Sequence, residues 1–113
     1  MTPHDAPTAE QLVESVREWI ERDVLADSTG RLQFHARVAV NVLAMVEREL
    51  RIGPALAAAH QLRLAELGAA DEKDLAVKIR SGELDDQAER VRELVWDSVR
   101  DKLSVANPKY LEP

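Results

Sequence analysis

Apolar side chains recur at every third or fourth position in five stretches of this chain, the spacing that places them on one face of a helix. Leu12, Val13, Val16, Trp19, Ile20 and Val24 predict a helix over about 9–25. Thr8 with Gln11 three places on forms its capping box, and the stretch ADSTG ends it. A second helix runs over about 31–51, closed by Gly53 and Pro54. A third, over about 55–67, passes through Leu56, Leu64 and Leu67 to Gly68. Asp71 caps a short fourth helix that holds Leu75 and Ile79 and ends at Gly82, with Leu84 in the link that follows. The fifth, over about 86–106, carries Val91, Leu94, Val95, Val99 and Leu103 until Pro108 stops it.

No stretch alternates with the period of a strand, so the pattern predicts an all-α chain. Short links between amphipathic segments favour one compact bundle of about five helices, three long and two shorter. The expected domain is 1–113, with 1–7 and 107–113 as irregular ends.

Polar residues interrupt the apolar faces. At about 100° per residue, the second helix gathers Phe34, Val38, Ala39, Val42, Leu43, Met45, Val46 and Leu50 on one broad arc with His35 near its middle. Arg37, Asn41 and Arg48 form a strip along its boundary. Asp23 falls beside Val16 and Ile20 on the first helix, and Ser98 and Lys102 fall among Val91, Leu94 and Val95 on the last. A buried charge costs several kcal/mol unless paired. Asp23, His35, Ser98 and Lys102 are therefore expected either to form a polar cluster or pocket, or to be satisfied separately at a rim open to water. Asn41 is balanced between a structural hydrogen bond to a loop carbonyl and a partner contact.

Charge and composition narrow the function classes. With 15 Lys and Arg against 21 Asp and Glu, the net charge is -6, and four aromatic residues offer little for stacking. This excludes an ordinary nucleic-acid binder, whose affinity needs clustered cations. No apolar run approaches the roughly 20 residues of a membrane span. The start MTPHDAPTAE has neither the basic nor the apolar part of a signal peptide. The absence of cysteine removes disulfides and thiolate chemistry and suits a reducing cytoplasm, the expected location.

Tests for catalysis fail in turn. His4, His35 and His60 lack the spacing of a zinc protease, and no glutamate stands three before a histidine as a di-iron bundle requires. Glycine-rich phosphate loops, a nucleophile elbow and calcium loops are all missing. Ser98 and Lys102 lie one turn apart, yet nothing nearby supplies an oxyanion hole. No catalytic residue, metal or cofactor is expected.

The tail KLSVANPKYLEP should turn at Asn107 and Pro108. Tyr110 and Leu111 then either cover the end of the core or anchor a partner. Together, RLQFHARVAVNVL, PTAEQLVESVREWIERDV and NPKYL make the chain resemble a family of small all-helical bacterial proteins of undefined domain function. The residues carrying the resemblance are Phe34, His35, Arg37, Asn41, Asn107, Pro108, Tyr110 and Leu111. Members of that family stand beside, or are fused to, aminoglycoside-phosphotransferase-like kinases and acyl-CoA dehydrogenases. In one such setting, a pathway for 4-hydroxyacids, a small subunit of this kind supports a hydroxyacyl-CoA kinase.

The resemblance implies a non-catalytic accessory subunit that binds the kinase, with Arg37, Asn41, Arg48, Tyr110 and Leu111 as partner-binding residues. The other expectation is a stand-alone helical module or homodimer, with Asp23, His35, Ser98 and Lys102 around a small anion.

Overall fold

The protein is described from a computed structural model covering residues 6–113; His4 and the first five residues of the expected irregular start lie outside the described residues. Among these residues there are four α-helices and no strand. The first, α1 (Ala9–Trp19), opens on the expected capping box: Thr8 Oγ1 accepts from the Gln11 N–H at 3.1 Å, and Gln11 Oε1 accepts from the Thr8 N–H at 2.8 Å. It continues as a wider π-helical turn over Ile20–Leu25. Gly30, with φ +60°, then starts α2 (Gly30–Glu66).

At α2 the expected pair of helices is one. Gly53 and Pro54 lie inside it rather than ending it, and the count is four helices rather than five. The reason lies in the residue before the proline. A proline ring disfavours helical geometry in its predecessor largely by striking that residue's backbone and Cβ, and glycine has no Cβ to strike. Pro54 still cannot donate a backbone hydrogen bond. The chain divides into two compact units at this point, one ending at Gly53 and the other spanning Pro54–Pro113.

The first unit is an antiparallel helical hairpin. Its seam is formed by half-buried Val13, Arg17, Ile20 and Val24 on one side. Gln33, Ala36, Val40, Leu43 and Glu47 face them, spaced alternately three and four apart. Ala36, the most buried apolar residue of this unit, has a side chain short enough for close approach, and half-buried Ala39 and Ala44 flank the line. The seam also holds ions: Arg17 Nε donates to Glu47, Arg17 Nη2 donates to the other Glu47 oxygen at 3.2 Å, and Arg17 Nη1 donates to Glu21 at 2.6 Å. The hydrogen bonds to Glu47 and Glu21 push the guanidinium pKa further above its ordinary value. Arg51 and Glu10 meet at 3.6 Å farther along the pair.

This seam overturns the expected burial of the second helix. Of the predicted arc, only Ala39 and Leu43 are half-buried; Phe34, Val38, Val42, Met45, Val46 and Leu50 are exposed. The hydropathy wheel weighted apolar bulk, whereas Ala36, half-buried valines, Ile20, Leu43 and one bidentate ion pair set the contact.

The second unit has a conventional apolar core of Leu67, Leu84, Val91 and Leu94, with Leu75 packed against it. Helix α2 ends there in a Schellman turn. The Ala69 N–H donates to Leu64 O at 2.9 Å, and the N–H of Gly68, at φ +71°, donates to Ala65 O at 3.0 Å. Leu64 and Ala69, the residues that such a turn brings together, are both buried. Asp71 caps α3 (Glu72–Arg80) as expected, its Oδ1 accepting from the Asp74 N–H at 2.7 Å. After Gly82 and a 3-10 turn over Asp85–Gln87, α4 (Ala88–Ala106) runs back antiparallel to the end of α2, and a second 3-10 turn, Pro108–Leu111, follows.

Candidate functional site

The antiparallel pairing in the second unit sets polar residues of α2 against those of α4. His60 and Arg63 are three apart, as are Ser98 and Asp101, so each pair shares one helix face. His60 Nδ1 lies 3.0 Å from Ser98 Oγ, Arg63 Nη1 donates to Ser98 Oγ at 3.4 Å, and the same Arg63 nitrogen lies 2.8 Å from Asp101 Oδ2. From the first turn of α3, Glu72 Oε1 stands 3.0 Å from His60 Nε2. That nitrogen and Asp101 Oδ2 are shielded from solvent, and neither contact is a well-angled hydrogen bond.

Beside this polar wall lies a groove of about 240 Å³. Leu64, Leu67, Leu75, Leu94, Val95 and Val99 supply its apolar lining, and Lys102 joins His60, Arg63, Glu72 and Ser98 among its polar groups. A concave apolar site with a few convergent polar groups has the make-up of a small-molecule pocket.

Glu72, His60 and Ser98 are in the order of an acid, imidazole and hydroxyl relay. Ser98 lies in the interior of α4, however, where neighbouring N–H groups are committed to the helix and offer no oxyanion hole. Arg63 is held by Asp101. The arrangement therefore orients polar groups around a groove but lacks the donors that acyl transfer needs.

The residues expected at a site are distributed as follows. Ser98 and Lys102 both line the groove. Asp23 and His35 belong to the first unit and are exposed, against the expectation that they point inward. Asp23 pairs with Arg22 at 3.4 Å. His35 Nε2 accepts from Arg31 at 3.4 Å, and its ring meets Phe34 edge-on at 5.6 Å. The α1 seam turns Asp23 outward with Trp19 and Val16, and the α2 seam does the same to His35. Arg37 and Asn41 are exposed, and Arg48 is half-buried. Tyr110 is 75% exposed and Leu111 40%, so this pair does not seal the core.

His60, Arg63, Glu72 and Asp101 were missed. The signal for Arg63 and Asp101 was present as complementary charges on two segments that short links make antiparallel, while His60 and Glu72 gain meaning only once the helices pair.

The second notable surface is in the first unit. Leu12, Val16 and Trp19 lie on one flank of α1, and Leu32, Val42, Val46 and Leu50 lie on the exposed arc of α2. The antiparallel hairpin and right-handed helices put both sets on the same side of the seam. Trp19 is 50% exposed and Val42 equally so, which leaves a largely apolar face open, with exposed Asp23 and His35 set among its side chains.

No helix among the described residues is long and apolar enough to cross a membrane. Nor do they contain a group of three or more side chains placed to hold a metal ion. None of the curated proteins and none of the solved structures matches the chain. A family model does match over residues 26–110, a stretch that takes in all of α2, the groove and the terminal turn but for its last residue. The chain thus belongs to the family described as a domain of unknown function, DUF6285.

Proposed function

We propose that this protein is a non-catalytic accessory subunit that docks onto a phosphotransferase-like kinase acting on hydroxyacyl-CoA substrates. The observation that carries the docking is the open, largely apolar face of the first unit. Monomeric proteins keep few large apolar patches, and those that they expose mark interaction surfaces. Leu12, Val16, Trp19, Leu32, Val42, Val46 and Leu50 are each at least 39% exposed, and a stable interface buries roughly 800 Å² on each partner. Trp19 is the natural anchor; exposed Arg37 and Asn41 lie on the opposite flank of α2 and do not rim this face. The kinase as partner follows from the likeness of the chain's motifs to small subunits of that kind.

The test is co-expression with a phosphotransferase-like kinase that acts on hydroxyacyl-CoA, followed by size-exclusion chromatography and a turnover assay. The two should co-elute, with kinase turnover raised. Val42→Asp should abolish co-elution while leaving the melting temperature of the free subunit unchanged, because Val42 is already in water. Separate elution with unaltered turnover would overturn the reading.

A further inference from the structure

We propose that the groove of the second unit is a binding site for a small organic monocarboxylate with an apolar body, such as a medium-chain aliphatic acid. This rests on the second unit alone and stands or falls independently of kinase docking. The charges around the groove select the ligand's class. Arg63 is committed to Asp101 at 2.8 Å, and His60 faces Glu72 at 3.0 Å. Lys102 is the other lysine or arginine of the lining, and it has no ion pair among the described residues.

One uncompensated ammonium suits one negative charge. A phosphate dianion would call for a second free cation or a fork of donors, and Arg63, the only arginine in the lining, is occupied. The ligand's body is set by the leucines and valines. Val95 and Val99 are respectively 43% and 39% exposed at the mouth, while Leu64 and Leu94 are buried at the wall. The volume of about 240 Å³ falls just below the usual range for drug-sized ligands, which favours a short chain or a single ring. Lys102 lies one helical turn beyond Ser98, so a carboxylate paired to it would sit beside a hydroxyl.

The experiment titrates the full chain with octanoate, following amide resonances by NMR. Shifts should concentrate at the groove, around Leu94, Val95 and Ser98. Octanamide, which keeps the chain but loses the charge, should bind at least tenfold more weakly. Acetate, which keeps the charge but loses the chain, should do likewise. Lys102→Met should weaken octanoate at least tenfold with an unchanged melting temperature. Val95→Asp, a change at an exposed position that sets a like charge in the mouth, should abolish binding. The proposal is overturned by any of three results: no groove shifts up to the solubility limit of octanoate, equal binding of octanamide or acetate, or undiminished binding by both variants.

Discussion

The two units solve the same problem in opposite ways. In the hairpin, the contact between helices is made by Ala36, half-buried valines, Ile20 and Leu43 and a bidentate ion pair, while Trp19, Phe34 and Met45 face water. In the second unit, leucines fill the centre, the Arg63–Asp101 pair lies half-buried beside the groove and Arg90–Glu66 is exposed. A hydrophobic core stabilises wherever it forms, because burial is non-directional. An ion pair with two matched hydrogen bonds is directional and sets a register. The hairpin is thus aligned by its seam but keeps much of its apolar surface in reserve, whereas the second unit spends its own on folding. That division is what assigns docking to the first unit and a ligand groove to the second.

The largest test of this contrast removes equivalent bulk from each side. Leu94, 5% exposed, should cost about 3 kcal/mol as Leu94→Ala, through lost transfer energy and a cavity. Val42, at 50% exposure, should cost less than about 0.5 kcal/mol as Val42→Ala. Each unit carries its own tryptophan, Trp19 in the first and Trp96 in the second. Single-tryptophan variants made with Trp96→Phe or Trp19→Phe would report urea unfolding unit by unit. A Val42→Ala penalty that matches Leu94→Ala and grows with protein concentration would mean that a second copy already covers the face.

The same contrast explains what could be read from the sequence. The Thr8–Gln11 box, the Asp71 cap and the positive-φ glycines at 68 and 82 are local chemistry, and all lie where the pattern put them. The core residues Leu67, Leu75, Val91 and Leu94 were likewise legible from apolar periodicity, whereas Leu84 stood only in a link and Ile79, Val95 and Val99 of the same stripes are exposed. Two features were not legible. Pro54 normally signals a helix end, and only the glycine before it relieves the clash that makes the signal work. The hairpin seam was hidden because a wheel weighted by hydropathy cannot rank Ala36 and Glu47 above Phe34 and Val42. At the groove, Ser98 and Lys102 were visible as polar residues on an apolar face, while His60 and Glu72 needed the pairing of helices to gain meaning.

The next test breaks the seam. Glu47 is 8% exposed, so Arg17→Met would strand a carboxylate in the seam beside Leu43 and Ala44 and should destabilise the hairpin by about 2–3 kcal/mol. Adding Glu47→Leu should recover most of this loss, since replacing both members of a buried pair by apolar residues is often neutral. Trp19 fluorescence during urea unfolding reads both steps, and Trp96 should not respond. If the double variant is stable but loses its sharp transition, the ion pair supplies register rather than net stability. Additive losses in the double variant would instead show that the two side chains act separately and that the seam does not depend on their pairing.

The smallest effect is a pH dependence confined to the same hairpin. Glu14 and Glu18 lie one turn apart on α1, and the hydrogen bond that the protonated Glu14 carboxyl donates to Glu18, followed by the Glu18 charge, raises the Glu14 pKa above its ordinary value. The unfolded chain loses that proximity, so the folded state holds the proton more tightly. By linkage, the folded state is favoured while Glu14 is protonated, and this contribution is lost as pH rises through the raised value. Glu18→Gln should therefore increase hairpin stability near neutrality and bring no such gain in acid. The difference between variant and parent, followed by Trp19 unfolding midpoints across the window just above the ordinary glutamate value, cancels carboxylates elsewhere that respond in the opposite sense. Parallel pH curves for the two proteins would show that the carboxylates share no proton, and the exposed flank of α1 would then be electrostatically indifferent to the seam beside it.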